Sequence, residues 1–240
     1  MFDAGHDGHV RLLDADPDLA AGLSHAEWDQ ARRAVVVPAV RRLAGTWTPP
    51  DDTRGTIGAL VVGGMLIRAG STFGRPHLHV IGPGDMVDGR ILADPENAWR
   101  VLDDAHLAVL DDRFVRAARR WPPLIGGLAR RLFETQREQE TIAAIVAMPR
   151  VEDRLLALLC HLACRWGHVT PDGVTVRLPI THEVLGRLAG ARRPTVTLAL
   201  TALKEQHLLR RQSAGTWLLP SDCHDWLTDG LPVVGEAIAV

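Results

Sequence analysis

The sequence predicts an α+β chain in three parts: an N-terminal β-roll of jelly-roll type, a long helix, and a C-terminal winged helix-turn-helix. Three observations predict it. Residues 28–112 alternate short apolar runs with Gly, Pro and Asp, the spacing of an all-β roll or barrel. Residues 124–147 carry a helical apolar repeat bounded by Pro123 and Pro149. Residues 179–211, PITHEVLGRLAGARRPTVTLALTALKEQHLLRR, read as two short amphipathic helices joined by a tight turn, with a basic second helix and a basic tail.

Taken in order, residues 1–27 are polar and acidic and read as a short helical lead-in. Strands are expected at Ala34–Val37, Ile57–Val62, Met65–Arg68, Leu78–Ile81, Trp99–Leu102 and Leu107–Leu110. A short helix near Phe114–Arg119 ends at Trp121-Pro122-Pro123, and a long helix runs from Leu124 to Ala147. Along it Leu128, Leu132, Thr135, Gln139, Ile142 and Val146 recur at heptad spacing, which predicts pairing with the same helix of a second copy. Such a rod is about 36 Å long. Residues 151–169 form another amphipathic helix, and Thr170–Pro179 a hairpin turning at Pro171-Asp172-Gly173. The boundaries therefore fall at 1–112, 113–149 and 150–220, with a tail at 221–240.

The helix-turn-helix is specified residue by residue. Thr181 is an N-cap, Val184, Leu185 and Leu188 make an apolar face, and Gly186 lets the second helix approach. Gly190 sits where the first helix must stop in a left-handed turn, and Pro194 falls in the first turn of the second helix. Val196, Leu200 and Leu203 point inward, which leaves Arg192, Arg193, Thr195, Thr197 and Thr201 outward. In such motifs those positions reach base edges: Arg bonds guanine, and the Thr methyl meets the thymine methyl. Thr181 and His182 join this DNA-facing set. Leu208–Arg211 and Thr216–Leu219 read as a wing whose Arg210 and Arg211 hold phosphates, while Trp217 reads as core.

Composition agrees. The chain has 240 residues, 46% hydrophobic and 23% charged, with a net charge of −2. Residues 151–220 carry +4 and the remainder −6, a cationic module joined to an anionic one. Lys204 is the one lysine beside 26 arginines, which points to a high-GC genome. No apolar run is long enough to span a membrane, no secretion signal opens the sequence, and three cysteines make no disulfide framework. A cytoplasmic protein is expected. Nucleophile elbow, Walker loop, zinc spacing and paired catalytic carboxylates are all missing, so no enzyme and no resident metal or cofactor are expected.

Beyond physics, the order of parts resembles the Crp/Fnr transcription regulators. The residues that carry the resemblance are Val151-Glu152-Asp153-Arg154-Leu155-Leu156, Leu162-Ala163-Cys164-Arg165-Trp166-Gly167, Leu178-Pro179-Ile180-Thr181-His182 and Gly190-Ala191-Arg192-Arg193-Pro194-Thr195-Val196. Weaker matches are Val80-Ile81-Gly82-Pro83-Gly84-Asp85 and Ala108-Val109-Leu110-Asp111. The resemblance implies a cyclic-nucleotide-binding-like roll, a dimerisation helix, and a homodimer on a palindromic double-stranded operator. Its two reading helices would lie about one DNA turn, roughly 34 Å, apart. An activator would also touch RNA polymerase.

The chain departs from that family at the nucleotide cassette. Asp88-Gly89-Arg90 stands where a Gly-Glu is expected, and Glu96-Asn97-Ala98-Trp99 where Arg-Ser-Ala is expected. Both charges are reversed, so a carboxylate faces where the family holds a phosphodiester, and cyclic AMP is not expected to bind. Arg90 and Arg100 are the remaining effector-binding candidates. Other family sensors use iron–sulfur clusters or haem; a cluster needs about four thiolates, and the cysteines are Cys160, Cys164 and Cys223, of which Cys160 and Cys164, one turn apart on a helix, read as small buried hydrophobes or a redox pair. His77 and His79 on one strand face are candidate metal or haem ligands, as are His161, Cys164 and His168, beside the plainer reading of surface histidines. The roll is thus either a sensor of another effector or a scaffold for constitutive binding.

Overall fold

A computed structural model describes residues 6–213 and 215–229. The chain divides into two compact units, residues 1–138 and 139–240.

The N-terminal unit opens with strand β1 (His6–Arg11), helix α1 (Leu12–Ala15), a 3₁₀ turn at Pro17–Ala20 and helix α2 (His25–Ala34). The lead-in is therefore not merely helical: β1 pairs antiparallel with β2 (Val36–Arg42) and is part of the sheet. Helix α2 covers Trp28 to Ala34, where the roll was expected to begin. Its start is a capping box, Ser24 and Glu27 each accepting from the other's backbone N–H. Strands β3 (Gly45–Trp47), β4 (Gly58–Thr72), β5 (Arg75–Ile81) and β6 (Met86–Asp88), helix α3 (Gly89–Leu92) and strand β7 (Ala98–Leu110) follow. The sheet order is β1-β2-β7-β4-β5, with β3 on β7 and β6 on β4.

Two pairs of expected strands are in fact single long ones. Ile57–Val62 and Met65–Arg68 run together as β4, and Trp99–Leu102 and Leu107–Leu110 as β7. The Gly63-Gly64 break between the first two is a bulged stretch of the β4–β7 ladder. Gly64 has φ +75, and a Cβ there would meet the Asp104 carbonyl at 2.1 Å, so only glycine fits. The bulge bends a strand of 15 residues and lets the sheet curl.

Alternation along β4 and β7 feeds two cores. Ala59 and Val61, with Leu107 and Val109, face a cluster that includes Leu66, Trp99 and Val101. Leu60, Ala108 and Leu110 face a second cluster with Leu12, Leu13, Phe114, Trp121 and Leu124. Both faces are covered, so these stretches read in sequence as unbroken apolar runs.

Helix α4 (Asp112–Arg120) leads to α5 (Pro123–Val146). Leu124 and Leu128 are buried in the second cluster. Leu128, expected in a pairing seam, is thus occupied by its own roll, because Gly127 brings the helix against the Leu19 backbone: a Cβ would meet the Leu19 carbonyl at 2.2 Å. One turn on, Arg131 closes a bidentate pair with buried Asp16 at 3.0 and 2.7 Å. Further along, Leu132, Gln139 and Val146 are exposed and Thr135 and Ile142 half-buried.

The C-terminal unit is built on α6 (Val151–Trp166), a hairpin of β8 (His168–Thr170) and β9 (Gly173–Arg177), helices α7 (His182–Leu188) and α8 (Arg193–Glu205), and strands β10 (Arg210–Ser213) and β11 (Thr216–Leu219). The strands form one sheet, β10-β11-β9-β8. Of the expected tail, Ser221–His224 is a 3₁₀ turn and Trp226–Asp229 a short helix, α9; residues 230–240 lie outside the described residues. No described helix is long and apolar enough to cross a membrane.

Candidate nucleic-acid interface

The first helix of the motif starts where its sequence says it should. The Thr181 hydroxyl accepts from the Val184 N–H at 3.3 Å, an N-cap. Leu185 and Leu188 are buried, and the helix ends at Gly190, whose φ is +62. Gly186 allows the close approach expected of it. A Cβ there would meet the Ala191 carbonyl at 2.5 Å and the Val196 side chain at 3.3 Å.

Arg154 on α6 holds this turn from beneath. Its Nη1 donates to the Ala189 carbonyl at 2.9 Å and the Gly190 carbonyl at 3.1 Å. These are orphan carbonyls at a helix C-terminus, and a cation there also opposes the helix dipole. Sequence reasoning placed Arg154 in a family motif without giving it this role. The available signal was an arginine one residue before the buried leucines of α6.

On α8 the stripe Val196, Ala199, Leu200 and Leu203 is buried, which turns Arg192, Arg193, Thr195, Thr197 and Thr201 outward, all exposed. Thr197 bonds His182 Nδ1 at 3.1 Å, linking α7 to α8. The wing folds over this link. A Cβ at Gly215 would meet Pro179 Cα at 2.9 Å, and the Leu178 N–H donates to the Gly215 carbonyl at 2.6 Å. Between wing and helices lies a cleft of about 550 Å³ lined by Ile180, Thr181, His182, Arg193, Arg211 and Gly215 among others. Arg211 stacks over buried Trp217, its guanidinium carbon 5.5 Å from the ring centroid.

Two arginines, Arg193 and Arg211, line the cleft together with Glu183. Burial, then Arg211 and Arg193, hold the His182 imidazole below its usual range. Of the two wing arginines, Arg211 joins His182 and Arg193. Arg210, its neighbour on β10, is exposed and alternates to the other strand face.

Residues 153–220 match the family model of the Crp-like helix-turn-helix domain. The C-terminal unit carries a Crp-like helix-turn-helix domain. Its sequence is similar to the global nitrogen regulator of Synechococcus elongatus, 31% identical over 86 residues. That of Synechocystis is 29% identical over the same length. The match spans 36% of this chain and 37% of the Synechococcus regulator. Among solved structures, a CooA variant from Carboxydothermus hydrogenoformans has a TM-score of 0.62 at 17% identity, over 95% of this chain and 96% of that one. A CRP/FNR-family regulator from Thermus thermophilus has a TM-score of 0.53 at 19% identity, over 80% and 98%. The chain therefore has the Crp/Fnr fold around its Crp-like domain.

The effector candidates are scattered by comparison. Arg90 and Arg100 are both exposed; the Arg90 N–H donates to Asp88, which caps α3. Asp94 and Asn97 close the cassette segment internally: Asn97 Nδ2 donates to the Ile91 carbonyl at 3.1 Å and to Asp94 at 3.2 Å. Glu96 is exposed. The half-buried cation of this region is Arg68 on β4, which sequence reasoning did not single out because β4 read as two shorter strands. Burial lowers its pKa, against Asp94. His77 and His79 stand 5.1 Å apart, ring centre to ring centre. His79 is pushed down to about 4 by burial, then by Arg68 and His77, with Glu138 opposing.

Among the described residues, no group of three or more His, Cys, Asp or Glu converges as a metal site. His161 is half-buried and His168 exposed. Cys160 and Cys223 are buried and hydrogen-bonded to each other, and that bond together with burial raises the Cys160 pKa. Cys164, expected as a buried hydrophobe, is exposed, because one turn of α6 carries it past the edge of the buried face.

Two predictions follow from these contacts. Arg154→Ala removes two charge-assisted bonds and is expected to cost about 2 kcal/mol, seen as roughly thirtyfold faster amide exchange across residues 182–205. Separately, the folded-state pKa of His79 lies below its unfolded value of 6.5. Its contribution is present in full above pH 6.5 and is lost as pH falls toward 4. Thermal unfolding midpoints measured from pH 6.5 to 5 should therefore drop more steeply for the wild type than for His79→Gln; equal slopes refute the burial argument.

Proposed function

We propose that this chain is a transcription regulator of Crp/Fnr type that binds a palindromic DNA site as a homodimer. The observation that carries the reading is the outward set of α8 beside a cleft where Arg193, Arg211 and His182 meet. Helix α8 enters the major groove, Arg192 and Arg193 read bases, and Thr195, Thr197 and Thr201 assist. Arg210, Arg211, Thr181 and His182 serve the backbone. Regulation requires no enzymatic turnover, and it takes place in the cytoplasm. Activation additionally requires contact with RNA polymerase.

Pairing of two copies through α5 is supported by apolar side chains left in solvent. Ile125, Leu132, Phe133 and Val146 are 53%, 44%, 69% and 37% exposed, and exposed apolar side chains gathered along one helix mark an interaction site. The seam then runs from Leu132 through Thr135, Gln139 and Ile142 to Val146, without Leu128.

The roll is not switched by cyclic AMP. The cassette segment is closed on Asp94 and Asn97, and its arginines, Arg90 and Arg100, lie in solvent. A second reading, a roll that senses another effector, is favoured by half-buried Arg68 beside His77 and His79.

Calorimetric titration with cyclic AMP is expected to give no heat; micromolar binding overturns the closed-cassette reading. Arg193→Ala should cost about 1–3 kcal/mol and relax specificity at one base pair. Binding measured against a panel of single-base operator variants checks this, and uniform weakening across the panel removes Arg193 from base reading.

A further inference from the structure

The residue at the crest of α8 is a leucine. At about 100° per residue, the buried stripe of Val196, Ala199, Leu200 and Leu203 points one way, and Pro194, Leu198 and Thr201 point the opposite way. Arg193 and Thr197 lie on the flank toward α7, where Thr197 meets His182. Leu198 is 72% exposed. It belongs to no core cluster of the described residues and stands on a face otherwise made of Pro194, Thr201 and, at the C-terminal end of the helix, exposed Glu205.

The threonines beside it are less polar than their hydroxyls suggest. Thr197 Oγ1 donates to the Arg193 carbonyl at 3.1 Å, and Thr201 Oγ1 to the Thr197 carbonyl at 3.0 Å. Each hydroxyl proton is used along the helix itself. What Thr201 offers outward is its methyl group and acceptor lone pairs. The crest is therefore an apolar ridge of Pro194, Leu198 and Thr201, flanked by Arg193. In a major groove, the one apolar group on the base edges is the thymine 5-methyl.

We infer that Leu198 is a specificity-determining residue that selects thymine by burying its 5-methyl group against the crest of α8. The inference rests on the DNA-reading conclusion above. It adds a determinant that carries no charge and no hydrogen bond, so it contributes sequence preference with little salt dependence.

The test uses the full-length protein. A binding site is first enriched from random duplex DNA with the wild type, and each thymine of that site is then replaced by deoxyuridine, which deletes only the methyl. At one symmetric pair of thymines, the wild type is expected to lose about fourfold in affinity per methyl, the worth of one buried carbon. Leu198→Ala, an exposed change that leaves the thermal midpoint in place, should bind weaker and show no thymine-to-uracil difference at that pair. A wild type indifferent to uracil at every position overturns the inference while DNA reading stands. So does a Leu198→Ala protein that keeps the full difference. A wild type that enriches no sequence overturns the DNA-reading conclusion and this inference with it.

Discussion

The geometry of the reading surface depends on one short turn, residues 189–192, between α7 and α8. Backbone there comes so close to backbone that side chains are excluded: Gly186 faces the Ala191 carbonyl, whose residue in turn donates its N–H to the Gly186 carbonyl at 2.7 Å. Gly190 supplies the left-handed step. The carbonyls that this step leaves unpaired are taken by Arg154 from α6. The angle at which α8 presents Arg193 and Leu198 follows from these contacts, since a Cβ at Gly186 would meet the Ala191 carbonyl at 2.5 Å and force the two apart. The wing is held by the same device, with Gly215 against Pro179.

The N-terminal unit solves a different problem. Strands β4 and β7 must feed two cores at once and still curl. Strict alternation supplies the two cores, and the bulge at Gly64 supplies the curl. Several carboxylates of this unit have set partners: Asp16 the Arg131 guanidinium, Asp88 the start of α3, Asp94 its own loop. Arg68 stands beside His77 and His79 with Asp94 facing it, and burial and Arg68 hold both imidazoles below their usual range.

The places where sequence reasoning fell short share a cause. A Gly-Gly pair looks the same in sequence whether it ends a strand or bulges it, and only the partner strand β7 distinguishes them. Cys160 and Cys164 are four residues apart, yet the edge of the buried face runs between them. Leu128 has the right spacing for a pairing seam, but Gly127 draws that turn of α5 onto Leu19. Arg154 and Arg68 were passed over because an arginine in an apolar stretch gives no sign of which distant carbonyl or imidazole it will face. Leu198 was not singled out, because periodicity ranks residues by type before it ranks them by direction.

The sequence by itself determined what depends on near neighbours. The cap at Thr181, the left-handed Gly190, Pro194 in the first turn of α8, and the outward direction of Arg192, Arg193 and Thr197 all follow from spacing within a few residues. So do the β-rich N-terminal half, the long α5 and the cationic C-terminal module. Tertiary structure alone decided which polar groups share a site: Arg211 rather than Arg210 beside His182, Arg154 beneath the turn, Arg68 beside His79. Those pairings join residues on different elements. They are fixed by strand register and helix approach, quantities that hydrophobic periodicity constrains only to a face, not to a partner.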